Sequence, residues 1–112
     1  EMLFIGFTGD KIRMENKNLK NYESVIILKE NLSEEEYHKE FDKIKDYMEG
    51  LVEFEKIEEL GLKRLAYAVK NNEKGYFIAI YCKANEENVK KLERLYRIDE
   101  NIIKFIIVRK DD

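Results

Sequence analysis

The spacing of apolar residues changes several times along the chain, and each change marks an element. Tyr22-Glu23-Ser24-Val25-Ile26-Ile27-Leu28 is rich in β-branched residues and predicts a strand. Because Ile26, Ile27 and Leu28 are consecutive, both faces of that strand are expected to be covered, as in the middle of a sheet. The period then becomes helical. Tyr37, Phe41, Ile44, Met48 and Leu51 recur at steps of four, three, four and three, which aligns them on one face. Ser33 followed by Glu36 is a capping-box start, and Glu34, Glu35 and Glu36 put negative charge at the positive end of the helix dipole. Gly50 ends this helix.

Val52 and Phe54 through Leu60, then Gly61, then Leu65, Tyr67 and Val69 read as one long strand. It is expected to bend or bulge at Gly61, where the missing Cβ relieves the distortion. Asn71-Asn72-Glu73-Lys74-Gly75 is turn chemistry between apolar runs and predicts a hairpin. Tyr76–Cys82 is then a third strand. Asn85 caps a second helix that turns Val89, Leu92 and either Leu95 or Tyr96 inward, and Ile102–Val108 is the last strand. With right-handed crossovers the order β-α-β-β-α-β predicts an α+β, ferredoxin-like split βαβ sandwich: a four-stranded antiparallel sheet with two helices on one face. That fold carries many unrelated functions.

The 112 residues fit one domain, and 44% apolar content supplies one core. Charged residues make up 40% of the chain, 21 basic against 24 acidic, for a formal net charge of −3. A chain that held nucleic acid by bulk charge alone would be clearly basic, so only a local basic patch remains open. The single cysteine, Cys82, excludes an internal disulfide and fits a reducing compartment. No apolar run reaches the roughly 18 residues needed to span a bilayer, and no membrane association is expected. The start, residues 1–7, is apolar but short, without a basic leading segment or a small-residue cleavage site, which argues against a signal peptide, and residues 1–13 hold two of the five glycines. Met14 is the expected native start. Residues 1–20 therefore read as an extension or added segment, partly disordered, ahead of a domain at 21–112. The domain is expected in the cytoplasm.

Catalytic chemistry is hard to assemble from these residues. The one histidine, His38, has Glu35 and Asp42 within a helical turn, but it falls at the edge of the apolar stripe and is expected in solvent. One His and one Cys make structural zinc improbable. Cys82 reads as a small buried apolar residue, and a thiol nucleophile there would need a base beside it. The glycines at 6, 9, 50, 61 and 75 form no phosphate loop. Residues 33–60 carry eleven acidic against four basic side chains and are expected to make a solvated face. No enzyme activity, cofactor, metal or small-molecule substrate is expected.

Two stretches say more. Lys63 and Arg64 beside the Gly61 bend, with Tyr67 further along the strand, suit phosphate contact and a ring near a base. The same charges also suit protection of an edge strand, and spacing alone decides nothing between these readings. Lys74-Gly75-Tyr76-Phe77-Ile78-Ala79-Ile80-Tyr81 partly follows the RNA-recognition-motif signature, but Phe77 and Ile78 break its middle. A hairpin strand with packed aromatics is the simpler interpretation. Lys90, Lys91, Arg94 and Arg97, with Lys104, Arg109 and Lys110, make the C-terminal part locally basic. Glu93, Asp99 and Glu100 are interspersed there, as on a mixed salt-bridged surface.

From Tyr22 to Arg109 the chain resembles the bacterial small-subunit ribosomal protein family six. The resemblance rests on Tyr22-Glu23, Leu32-Ser33-Glu34-Glu35, Gly61-Leu62-Lys63-Arg64-Leu65-Ala66-Tyr67, Gly75-Tyr76-Phe77, Leu95-Tyr96-Arg97-Ile98 and Val108-Arg109. Ala68 stands where the family pattern carries proline, and this chain has no proline. The resemblance implies a structural component of the small ribosomal subunit. It implies binding to the central domain of the small-subunit ribosomal RNA together with the small-subunit protein numbered eighteen, whose basic character offsets the acidic balance here. On that basis Lys63, Arg64, Tyr67, Arg97, Lys104 and Arg109 are the candidate RNA contacts, and Leu60, Leu62 and Arg64 the candidate partner interface. The alternative is an RNA-recognition-motif-like single-strand binder that needs no protein partner.

Overall fold

The element order is β1 (Lys20–Leu28), α1 (Glu34–Met48), β2 (Glu53–Val69), β3 (Asn72–Ala84), α2 (Glu86–Ile98) and β4 (Ile102–Arg109). This computed structural model describes residues 19–110. The expected Met14 start and the extension or added-segment reading of residues 1–18 lie outside the described residues. The strands form one sheet in the order β2-β3-β1-β4, with every neighbouring pair antiparallel. Both helices pack on the same face, as the β-α-β-β-α-β pattern predicts. β1 is interior, and Ile26, Ile27 and Leu28 are all buried, so the consecutive apolar run reflects a strand covered on both sides.

Local chemistry fixes the helix starts. Ser33 Oγ accepts from the Glu36 N–H at 3.1 Å while the Glu36 carboxylate accepts from the Ser33 N–H at 2.8 Å. Asn85 Oδ1 accepts from the Asn88 N–H at 2.8 Å at the start of α2. The core lies between these helices and the sheet. Ile44 and Met48 of α1, with Leu92 and Tyr96 of α2, pack on Tyr22, Ile26, Leu28, Ile78, Ile80 and Cys82. Tyr96, not Leu95, is the fully buried residue of its pair. Its hydroxyl lies 2.7 Å from Ser24 Oγ and binds α2 to β1.

β2 is bulged as expected, with a register shift between Glu59 and Gly61 and a left-handed φ of 87° at Gly61. Further irregularities lie between Phe54 and Lys56 and between Arg64 and Val69. The hairpin turn is tighter than Asn71–Gly75. Val69 pairs with Asn72, and Lys70 (φ 49°) and Asn71 (φ 67°) alone make the left-handed two-residue turn. Asn72 closes it, donating from Nδ2 to the carbonyls of Val69 at 3.2 Å and Lys70 at 3.0 Å. Asn72–Gly75 therefore belongs to β3.

Glu40 departs from the solvated face expected of residues 33–60, and Asp99 from the mixed surface expected of the C-terminal part. Glu40 and Asp99 are only 4% and 6% exposed and meet where α1 passes the end of α2. Asn101 Nδ2 donates to Glu40 at 2.7 Å, and Lys43 reaches both carboxylates, at 3.4 and 3.5 Å. The Tyr47 hydroxyl lies 3.4 Å from Asp99 Oδ2, while Glu40 Oε2 has no hydrogen-bond partner. Burial, and then the neighbouring Asp99 carboxylate, pushes the Glu40 carboxyl above its usual range. Helical spacing missed this because Glu40 and Asp99 pair between elements distant in sequence.

Candidate nucleic-acid interface

β3 pairs with β1 only from Tyr76 onward, so the hairpin around residues 63–75 overruns the end of β1. Glu30 ties this overhang down, its carboxylate accepting from the N–H groups of Glu73 at 3.4 Å and Lys74 at 3.2 Å. The Glu30 N–H in turn donates to Asn72 Oδ1 at 3.0 Å. At the root of the overhang, Gly75 sits where a Cβ would overlap the Ile27 Cγ2 methyl and lie 3.5 Å from Leu65 Cδ2. That close approach requires glycine there.

The overhang carries Lys63, Arg64, Tyr67 and Lys70 to one end of the sheet, and Tyr67 reaches across to β4. Lys104 Nζ lies 3.4 Å from the Tyr67 hydroxyl and 5.5 Å from its ring centroid. Arg97, at the end of α2, places its guanidinium 5.7 Å from the Phe105 ring centroid. Lys70, Arg97 and Lys104 line one open cleft of about 430 Å³, floored by Tyr96, Ile102, Ile103 and Phe105. Among the described residues none of Lys63, Arg64, Lys70, Arg97 and Lys104 forms an ion pair. Lys43, Lys56, Lys83, Arg109 and Lys110 do, whereas Lys29, Lys39, Lys45, Lys90, Lys91 and Arg94 also form none among the described residues, so what marks the hairpin end is the grouping of its cations.

Five of the six residues expected to meet RNA therefore lie at one end of the sheet. Arg109 does not join them. It pairs in register with Tyr22 at the opposite end and lies 3.7 Å from the Glu86 carboxylate. Leu60 and Leu62 are exposed on β2, an edge strand whose outer backbone has no neighbouring strand among the described residues. Sequence reading missed Lys70. The spacing reads as a strand to Val69 and a turn from Asn71, which leaves Lys70 between them, the first of the two turn residues.

The single-strand stacking surface does not assemble. Tyr76 faces the helices, stacked on Tyr37 at 4.3 Å between centroids, with its hydroxyl donating to Glu59 at 2.9 Å. Tyr81, five residues along the strand, faces the opposite side, beneath Lys56 Nζ at 5.7 Å from its centroid. Tyr22 is buried toward the helices. These three rings share no open face. His38 is exposed, and Cys82 is buried with its thiol pushed up to about 11 by burial and then by Glu55. Among the described residues there is no group of three or more His, Cys, Asp or Glu placed to hold a metal. No described helix is long and apolar enough to cross a membrane.

Comparison with known proteins agrees with this architecture. The family model described as Ribosomal protein S6 matches residues 21–109. The chain is 37% identical over 89 residues to the small ribosomal subunit protein bS6 of a Sulfurovum species, covering 79% of this chain and 70% of that protein. It is also 37% identical over 95 residues to bS6 of Helicobacter pylori, covering 81% of this chain and 65% of that protein, just under two thirds of its length. The crystal structure of 30S ribosomal protein S6 from Thermotoga maritima superposes with a TM-score of 0.77 at 29% identity, covering 82% of this chain and 88% of that one. These relatives are structural ribosomal proteins rather than enzymes.

Proposed function

The chain belongs to the ribosomal protein S6 family of the small ribosomal subunit, and from that premise we propose that it binds the central domain of the small-subunit ribosomal RNA jointly with the small-subunit protein numbered eighteen. The observation that carries this reading is the grouping of cations at the hairpin end, with Arg97 and Lys104 on one cleft and Lys104 on the Tyr67 ring, in a chain whose net charge is −3. A local patch of that kind neutralises a few phosphates, and a basic partner supplies the rest. Lys63, Arg64, Arg97 and Lys104 neutralise phosphates, and Tyr67 offers a ring. Arg109, at the far end beside Glu86, makes a separate, weaker contact. Leu60 and Leu62, with the stem of Arg64, meet the protein partner along the exposed edge of β2. The protein acts on the ribosome, in the cytoplasm.

Charge reversal tests this reading. Lys63→Glu with Arg64→Glu, titrated against the ribosomal RNA fragment in the presence of the partner, is expected to weaken binding. It should also reduce the salt slope by about one for each phosphate that is no longer neutralised. Unchanged affinity and slope would remove both residues from the interface.

A further inference from the structure

We propose that the cleft between the hairpin turn, the end of α2 and the start of β4 seats the phosphate of one unstacked ribonucleotide, whose base lies on the ring of Tyr67. This deepens the RNA-binding reading and rests on it. Three cations from three separate elements converge here: Lys70 from the turn, Arg97 from α2 and Lys104 from β4. None has an acid partner among the described residues, so the site holds a concentrated, uncompensated positive charge. A bound phosphate, whose several acceptor oxygens can be shared among these donors, offsets part of that charge.

The surroundings select among anions. Ile102, Ile103 and Phe105 give the cleft an apolar floor, and its volume of about 430 Å³ accommodates more than an inorganic ion. Lys104 connects the cleft to an exposed aromatic surface, with its ammonium 3.4 Å from the hydroxyl of Tyr67, a ring 66% exposed. A phosphate site adjoining an open ring fits a nucleotide whose base has left its stack. An acidic peptide would match the charge but leave the ring unused. The turn geometry supports a fixed site. Lys70 and Asn71 are held left-handed, and Asn72 pins the carbonyls of Val69 and Lys70, so the Lys70 backbone is set before any ligand arrives.

The test uses the full chain with its protein partner and the same ribosomal RNA fragment. Lys70→Asn keeps a residue suited to left-handed backbone, Arg97→Gln removes charge at an exposed position, and Tyr67→Leu removes the ring. If Lys70 and Arg97 share one phosphate, each single change leaves it partly neutralised and lowers the salt slope by well under one, while the double change lowers it by about one, more than the sum of the singles. Lys63→Glu adds independently of both. Tyr67→Leu weakens binding at least about fivefold while Tyr67→Phe does not, as expected for stacking. Ultraviolet irradiation crosslinks Tyr67 to a single nucleotide. Additive losses from Lys70→Asn and Arg97→Gln, or a Tyr67→Leu variant that binds as wild type, would overturn the nucleotide site while leaving the wider RNA reading intact. Weaker binding of the protein partner in the absence of RNA would make the cleft a protein interface instead. Failure of the wild-type complex itself to bind would instead reject the RNA reading.

Discussion

Removing one oxygen from the core should show how firmly α2 is tied to the sheet. Tyr96 is fully buried, and its hydroxyl is the partner of Ser24 Oγ at 2.7 Å, with Met48 Sδ at 3.6 Å as a weaker acceptor. Ser24 is itself 0% exposed. Tyr96→Phe keeps the ring and its packing on Phe105, 5.1 Å between centroids, but leaves the serine hydroxyl without its partner. A buried hydroxyl left unsatisfied costs about 1–3 kcal/mol. For a domain of this size the melting temperature should fall by on the order of 10 °C. Ser24→Ala strands the tyrosine hydroxyl in the same way. The double variant removes both polar groups together, so its cost should fall well short of the sum of the two singles. Urea denaturation of all four proteins, followed by circular dichroism, gives the cycle. A Tyr96→Phe variant as stable as wild type, or a double variant whose loss equals the sum, would refute the reasoning. Arg97 follows Tyr96 on α2, so the same bond helps hold that cation at the cleft.

Other substitutions probe other parts of the fold. The raised pKa of Glu40 means that its folded form holds the proton more tightly than the unfolded chain does. Its contribution to stability is therefore full below the ordinary carboxyl pKa and is lost as pH rises through the raised value. Glu40→Gln should flatten that decline and stabilise by about 1 kcal/mol above it, read from urea midpoints across the pH range; a wild-type decline that persists in the variant contradicts the assignment. Gly75→Ala should cost about 1–3 kcal/mol, because the added Cβ meets Ile27 Cγ2, and Ile27→Ala should recover part of the loss. A melting temperature unchanged by Gly75→Ala would show that the overhang is looser than it looks. Cys82, with its thiol pushed up to about 11, should resist thiol reagents at neutral pH until the chain is unfolded; rapid labelling of the native protein would place it nearer the surface.

Most of the fold was readable from local rules. The helical stripe from Tyr37 to Leu51, the Ser33 and Asn85 caps and the consecutive Ile26-Ile27-Leu28 each correspond to an observed element or burial. The misses share one physical cause, which is the meeting of segments distant in sequence. Glu40 looks like a surface helix residue until Asp99 and Asn101 arrive beside it. The hairpin aromatics, by contrast, pack as expected, since strand alternation puts Tyr76 and Tyr81 on opposite faces and Tyr37 stacks on the first. Lys70 acquires a role only because the hairpin overruns β1 and brings its turn to Arg97 and Lys104. Candidate cations were visible in the sequence, but their grouping was not, and Arg109 lies at the other end of the sheet from the rest.

The most direct test of the central claim is a gel-shift titration of the central-domain fragment of small-subunit ribosomal RNA, with and without the small-subunit protein numbered eighteen, at two salt concentrations. The account predicts tight, salt-sensitive binding only when both proteins are present, as expected when a chain of net charge −3 contributes a local patch and its partner the bulk of the positive charge. Tight binding by this chain alone, or none with the partner present, would contradict it.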